Sequence, residues 1–228
     1  GYSEAEMKGR TCKLLQGPLT DPQTVEAIRQ AQKKNQEFGG EILNYRKDGA
    51  VFWNEVSISP VHDEQGHHTH YFGVMRDSTE RRRAADALRL FRTLWDQSND
   101  TLEVVDPDTA EFLDVNEKGP AELGCTRAEY LSLRVHDIDP LVTKERWQQL
   151  LEAIKTTGSQ SGESRHRRMD GTTFPVEFNA KWVRLDRDYI VTVVRDVSER
   201  KRAEAALRDN ERRLREAQAI ARMGNFHW

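Results

Sequence analysis

The chain has 228 residues, a formal net charge of -3, 36% hydrophobic and 32% charged residues. That length suits one or two domains, and the mild acidity argues against a general nucleic-acid binder, which carries a strong basic excess. No apolar run approaches the ~20 residues of a membrane helix, and no signal peptide is visible. Cys12 and Cys125 stand far apart and outside any CxxC pair, which excludes a disulfide framework and favours a reducing cytoplasm.

An internal repeat organises the sequence. Asp77 to Arg89 (DSTERRRAADALR) recurs as Asp196 to Arg208 (DVSERKRAEAALR), and Lys47-Asp48-Gly49 recurs as Met169-Asp170-Gly171. The offset is 119 residues in the first pair and 122 in the second, which fits a shorter loop in the second copy. In chain order, each copy predicts a helix (22–35; 144–156) and then a strand (40–46; 162–168). An Asp-Gly turn follows, supplying the positive backbone angles of a tight hairpin. Next come a longer strand carrying Val51, Trp53, Val56 and Ile58, or Phe174, Val176 and Phe178, and a third strand (70–76; 189–195). This is an α+β pattern of antiparallel strands with helices grouped on one side.

Each copy then switches to helix. Asp77 with Glu80, and Asp196 with Glu199, have capping-box spacing. Ala84, Leu88, Phe91 and Trp95 have coiled-coil spacing, as do Ala203, Leu207, Asn210, Leu214, Ala217 and Ala221. These stripes predict homodimer contacts through the linker helices, the alternative being packing on their own domains.

The residues resemble the PAS family: two antiparallel-sheet units, each ending in Asp-x-[Thr/Ser]-x-Arg and running into a helical linker. The resemblance implies tandem PAS folds over 1–78 and 99–198. Helical linkers would span 79–98 and 199–222, and a third PAS domain would open at 223–228. In the second unit, 100–106 and 111–115 read as its first strands, and 116–123 and 127–133 as its short helices. The first unit resembles the LOV subfamily. Gly9-Arg-Thr-Cys12-Lys-Leu-Leu-Gln16-Gly-Pro-Leu-Thr-Asp21 is close to GxNCRFLQGxxTD, and Asn44 to Asn54 matches NYxKDGxxFWN. The resemblance implies that FMN binds this unit and that Cys12 bonds reversibly to the flavin under blue light. Lys13 and Arg29 would meet the phosphate. Gln16, Asn44 and Asn54 would hydrogen-bond the ribityl chain and the pyrimidine edge. Thr11, Leu15, Val56, Phe72 and Met75 would complete the site. The ligand of the second unit is unknown.

Several positions depart from the signature. Thr11 replaces Asn, Leu14 replaces Phe, and Lys13 replaces Arg, keeping a cation but losing the guanidinium fork. Met75 stands where the family has Gln, and a thioether cannot donate a hydrogen bond. The chain begins just before the signature, so the first sheet lacks two expected strands. With the start at Gly1 and the stop at Trp228, it reads as a piece of a longer chain.

Elsewhere the residues read as structural. His62, His67, His68 and His70 crowd one loop whose spacing matches no zinc pattern. His136 is a weak haem candidate, and Cys125 reads as packing beside a Thr126–Glu129 capping box. The basic runs 81–83 and 165–168 read as solvated faces. No phosphate loop, HExxH or nucleophile elbow appears, so an enzyme output is expected outside these residues. The sensory reading implies a histidine kinase in cis, with a diguanylate cyclase or phosphodiesterase next, and a response regulator as a further partner. Rival readings are a dimerisation spacer and a flavin or thiol redox sensor.

Overall fold

A computed structural model describes residues 1–223, with side chains through residue 218. The expected seam residue Ala221 and the expected third domain at 223–228 lie outside the described side chains. The chain divides into two compact units, 1–91 and 92–228.

The first unit opens with α1 (Glu4–Met7), a 3-10 helix (Cys12–Leu15) and α2 (Pro22–Lys33). Three strands follow: β1 (Phe38–Tyr45), β2 (Val51–His62) and β3 (His68–Asp77). They form an antiparallel sheet in the order β1-β2-β3, with Ile42 opposite Asn54 and Val56 opposite Met75. Helix α2 starts where the sequence says it must. Asp21 accepts from the amides of Gln23 and Thr24, and Pro22 occupies the first turn, where its missing N–H costs nothing. The Asp48-Gly49 turn has the expected left-handed glycine, φ 84°.

α3 (Thr79–Asp96) follows β3 and leads to β4 (Thr101–Val105) and β5 (Phe112–Val115). Short helices α4 (Lys118–Leu123), α5 (Arg127–Leu131) and α6 (Val135–Ile138) and the longer α7 (Lys144–Thr157) come next. The chain continues through β6 (Ser159–Arg167), β7 (Thr173–Arg184), β8 (Asp188–Asp196) and α8 (Ser198–Met223). The second sheet has the order β5-β4-β8-β7-β6, so its last three strands repeat β1 to β3. Its inner face is filled by Val105, Phe112, Phe174, Val176, Ile190 and Val194 against Tyr130, Trp147 and Ile154. Each fully buried aliphatic or aromatic side chain contributes about 1.5–3 kcal/mol.

Gly119 on α4 sits where a side chain has no room. A Cβ there would lie 2.6 Å from Val115 Cγ2, 3.0 Å from Thr101 Cγ2 and 3.2 Å from a Tyr130 ring carbon. Gly119→Ala is therefore expected to destabilise the second unit by about 1–3 kcal/mol through overpacking, seen as a lower thermal midpoint in calorimetry.

Two local expectations are corrected. The Asp77–Glu80 and Asp196–Glu199 pairs form no capping box. Asp77 and Asp196 end β3 and β8, so they lie one step outside the helices. Each carboxylate instead accepts from the amide two residues on, Thr79 at 3.0 Å and Ser198 at 2.7 Å. Along β2, Val51 and Trp53 lie on the face opposite Val56 and Ile58. With no bulge between them, strand alternation places them on opposite sides of β2. The Thr126–Glu129 capping box forms as expected.

Candidate functional site

The inner face of the first sheet, the 3-10 helix and α2 enclose a cavity of about 480 Å³. The loop after the 3-10 helix is pinned to β1. Thr20 Oγ1 donates to the Leu43 carbonyl at 2.7 Å, and the Leu19 amide donates to Tyr45 Oη at 2.9 Å. Leu15 is buried and holds the 3-10 helix down, while Cys12, Lys13 and Gln16 are left facing the cavity.

The cavity floor is a buried amide pair. Asn44 and Asn54 are 4% and 1% exposed, and Asn54 Nδ2 donates to Asn44 Oδ1 at 2.9 Å. Asn54 Oδ1 is buried with no hydrogen-bond partner. Such an orphan acceptor costs about 1–3 kcal/mol, so the site is built to receive an N–H from something else. Its walls are Val25, Ile28, Ile42, Val56 and Ile58, and its mouth carries Arg10, Lys13 and Arg29. Glu26 Oε2 accepts from Arg29 Nη1 at 2.8 Å. A hydrogen bond from Gln30, aided by Arg29, holds the Glu26 carboxyl below its usual range, so this partner stays ionised. Lys13 and Arg10 have no such carboxylate. A flat, mostly apolar ligand with an N–H edge and an anionic tail fits this donor and acceptor set, and flavin mononucleotide has that chemistry.

Nine of the residues expected from sequence line this cavity together: Thr11, Cys12, Lys13, Gln16, Arg29, Asn44, Asn54, Val56 and Met75. Two do not. Leu15 packs behind the 3-10 helix. Phe72 is 61% exposed on the opposite face of β3, because only alternate residues face inward, here Tyr71, Gly73 and Met75. Sequence reasoning missed Tyr71, which lines the cavity and donates through Oη to Gln32 O and to Asn35 Oδ1 at 2.9 Å. It also missed Arg10, Val25, Gln32 and Gly73. Counting by twos back from Met75 finds Tyr71 and Gly73, and helical spacing from Arg29 finds Val25 and Gln32. None of the four loop histidines lines this cavity, although the His68 ring lies 4.4 Å from that of Tyr71. Among the described residues no group of three or more His, Cys, Asp or Glu is placed to hold a metal ion.

The second unit closes the equivalent space. At the offset of 122 residues, Asn44, Asn54, Val56 and Ile58 become His166, Val176, Phe178 and Ala180 in the same strand register. On the last strand, Tyr71, Gly73 and Met75 become Ile190, Thr192 and Val194. Larger or apolar side chains fill the floor, leaving about 60 Å³.

A family model described as PAS domain matches residues 1–80 and 99–199. The chain belongs to the PAS-domain family. Over 222 residues, 90% of this chain and 45% of the relative, it is 30% identical to a blue-light-activated histidine kinase of Brucella canis. A blue-light-activated histidine kinase of Rhizobium johnstonii is 42% identical over 110 residues, 46% of this chain and 32% of the relative. Phototropin-2 of Oryza sativa subsp. japonica is 47% identical over 74 residues, 32% of this chain and 8% of the relative. The chain spans less than half the length of each of these relatives.

Both PAS units hand their last strand to a helix through the same charged clamp. In the first, Arg82 Nη1 meets Glu41 Oε2 at 2.7 Å, Arg81 reaches Glu41 and Glu55 at 3.3 Å, and Arg82 stacks on Trp53 at 3.8 Å. In the second, Lys201 pairs with Glu163 and Arg200 with Glu177, the residues at the same offsets. The runs 81–83 and 165–168, read from sequence as solvated faces, are packed in part: Arg168 donates to the Glu122 carbonyl at 3.0 Å and lies over the Phe174 ring at 4.0 Å. Arg81 and Arg82 reach back onto the outer face of the sheet.

Among the described residues no helix is long and apolar enough to cross a membrane.

Proposed function

We propose that the first PAS unit is a flavin-binding blue-light module of LOV type, and that the chain is the sensory part of a receptor with a histidine kinase as its output. The observation that carries this reading is the convergence of one thiol, Cys12, and one orphaned amide acceptor, Asn54 Oδ1, on a single cavity with cations at its mouth. Bound there, flavin would supply the blue-light absorption and an electrophilic ring, with Cys12 as the thiol beside it. Asn44 and Asn54 hold the pyrimidine edge, and Gln16 meets the ribityl chain. Lys13 and Arg29, with Arg10, face the phosphate. Val56, Ile58 and Ile28 exclude water from the ring. Thr11 and Met75 complete the wall.

Met75 is the residue from which a signal leaves the site. It faces the cavity two residues before Asp77, whose carboxylate holds the first amide of α3. Met75→Gln adds a donor and an acceptor at the flavin edge. It is expected to stabilise the light state by one hydrogen bond, slowing dark recovery by about tenfold, as timed by the return of flavin absorbance. The output passes through α3 and α8 and through a homodimer. Leu207 and Leu214, seven residues apart on α8, are each 60% exposed, which suits a helix–helix seam.

Comparing FMN with riboflavin tests the binding mode. Titration of the dark chain, followed by flavin fluorescence, is expected to give at least tenfold tighter binding of FMN through its phosphate contacts. Equal affinity would remove Lys13, Arg29 and Arg10 from the site.

A further inference from the structure

The second PAS unit holds an ionisable cluster that light sensing in the first leaves unused. Its small cavity, about 60 Å³, lies between the sheet and the segment from α6 to α7. Glu103, on β4 and 4% exposed, faces it and receives a hydrogen bond from Tyr130 Oη on Oε1. Asp139 is 5% exposed, and its Oδ1 takes the Leu141 amide at 2.9 Å. His166 stands at the register position of Asn44. Its ring lies edge-on to Phe174 at 5.9 Å. Two carboxyls and an imidazole thus face one apolar space walled by Trp147, Phe178 and Ile190. The hydrogen bonds these groups receive are those from Tyr130 Oη to Glu103 and from the Leu141 amide to Asp139.

The surrounding charges do not relieve Glu103. Glu122 on α4 accepts from Thr101 and pairs with Lys118 at 3.3 Å. Cys125 lies near Tyr130, its thiol pushed up by burial. Thr192 on β8 is opposite Glu103. Burial, opposed by the Tyr130 hydrogen bond and helped by the charges of Glu122 and Asp139, pushes the Glu103 carboxyl up to about 7. His166 keeps some accessible surface, yet the burial of its ring lowers it to about 4, with Asp139 acting in the opposite sense.

We propose that Glu103, Asp139 and His166 form a protonation switch, in which neutral Glu103 keeps α5 and α6 seated on the sheet and its ionisation unseats them. The second unit would then report proton concentration alongside whatever the first unit reports. Because folding favours the neutral carboxyl, its stabilisation is complete below 4.5 and is lost as pH rises through about 7. Folding also favours neutral His166, whose contribution is complete above 6.5 and is lost as pH falls toward 4. The two oppose each other between 4.5 and 6.5, so the loss above 6.5 belongs to Glu103 alone.

Hydrogen exchange of the whole chain at pH 6 and pH 8, corrected for the intrinsic exchange rate, tests this. Protection of residues 127–139 is expected to fall by about tenfold, following the ionised fraction of a group titrating near 7, and to stay constant in Glu103→Gln. Equal protection of the wild type at both pH values would overturn the proposal, as would an unchanged fall in the variant. Should Glu103→Gln not fold, the carboxyl carbon of Glu103 in the wild type decides by NMR. A transition near pH 7 supports the switch, and a carboxylate already ionised at pH 5.5 overturns it.

Discussion

Cys12→Ala is expected to abolish reversible bleaching of the flavin band in blue light while leaving dark flavin binding nearly unchanged. The cavity contains one thiol, and Cys125 belongs to the other unit. Thr11 is the neighbouring hydroxyl, and an unactivated hydroxyl is a poor nucleophile. The substitution removes one sulfur atom from an exposed residue that makes no hydrogen bond, so the 3-10 helix keeps its Leu15 anchor and its ties to β1. Photochemistry depends on that atom because the reaction needs one nucleophile held in place rather than a dithiol. Absorption spectra recorded before, during and after illumination read the effect. Bleaching that persists in Cys12→Ala would move the chemistry from thiol addition to flavin reduction and would favour the redox-sensor reading.

Asn54→Leu is expected to separate binding from stability. Leu has the branching and side-chain heavy-atom count of Asn but neither donates nor accepts, so the flavin loses the buried amide, and Asn44 Oδ1 loses its donor. Two lost or orphaned hydrogen bonds amount to about 1.5–3 kcal/mol, or roughly 10- to 150-fold weaker FMN binding. Without flavin, the same change removes the orphan Asn54 Oδ1 from a site 1% exposed but leaves the buried Asn44 Oδ1 without its donor, so one unpartnered acceptor replaces another. The thermal midpoint of the flavin-free chain is expected to change much less than FMN affinity. Binding by fluorescence titration and melting by calorimetry check the two halves. Unchanged FMN affinity would remove the amide pair from the ligand site.

Much of this architecture is legible in the sequence, because the same physics is written into it twice. The Asp-Gly turns, the Asp21-Pro22 helix start and the Thr126–Glu129 box are local signals, and local backbone chemistry decides them. Cys12, Asn44 and Asn54 are legible for a different reason. They belong to separated segments whose residue types fit one ligand. What escaped was the choice of face. Phe72 looks like a wall residue until its strand is paired, and Tyr71 looks like a neighbour of no consequence. Pairing Val56 with Met75 settles both, and that register is a tertiary fact. The Asp77 and Asp196 boxes failed for a related reason, since spacing alone does not show that each Asp still belongs to a strand. Glu103 gave no signal at all. A lone glutamate in a short strand reads as solvent-facing until Tyr130 and Asp139 are folded over it.

The charged clamp at the start of α3 and α8 was visible as repeated sequence without its meaning. Glu41 and Glu55, and Glu163 and Glu177, lie on the outer faces of their sheets, opposite the cavities. A movement of the last strand therefore reaches the exit helix through charged contacts as well as through the chain itself. Isolated exposed ion pairs contribute little stability, so the clamp's place in the account is geometric: it sets where each helix begins relative to its sheet.

The most direct test of the central claim is the visible spectrum of the chain purified in darkness and supplied with FMN, followed through blue light and back into darkness. The account predicts a protein-bound flavin band that bleaches under blue light and returns in the dark. A folded chain that takes up no flavin, or holds it without any reversible bleaching, would contradict it.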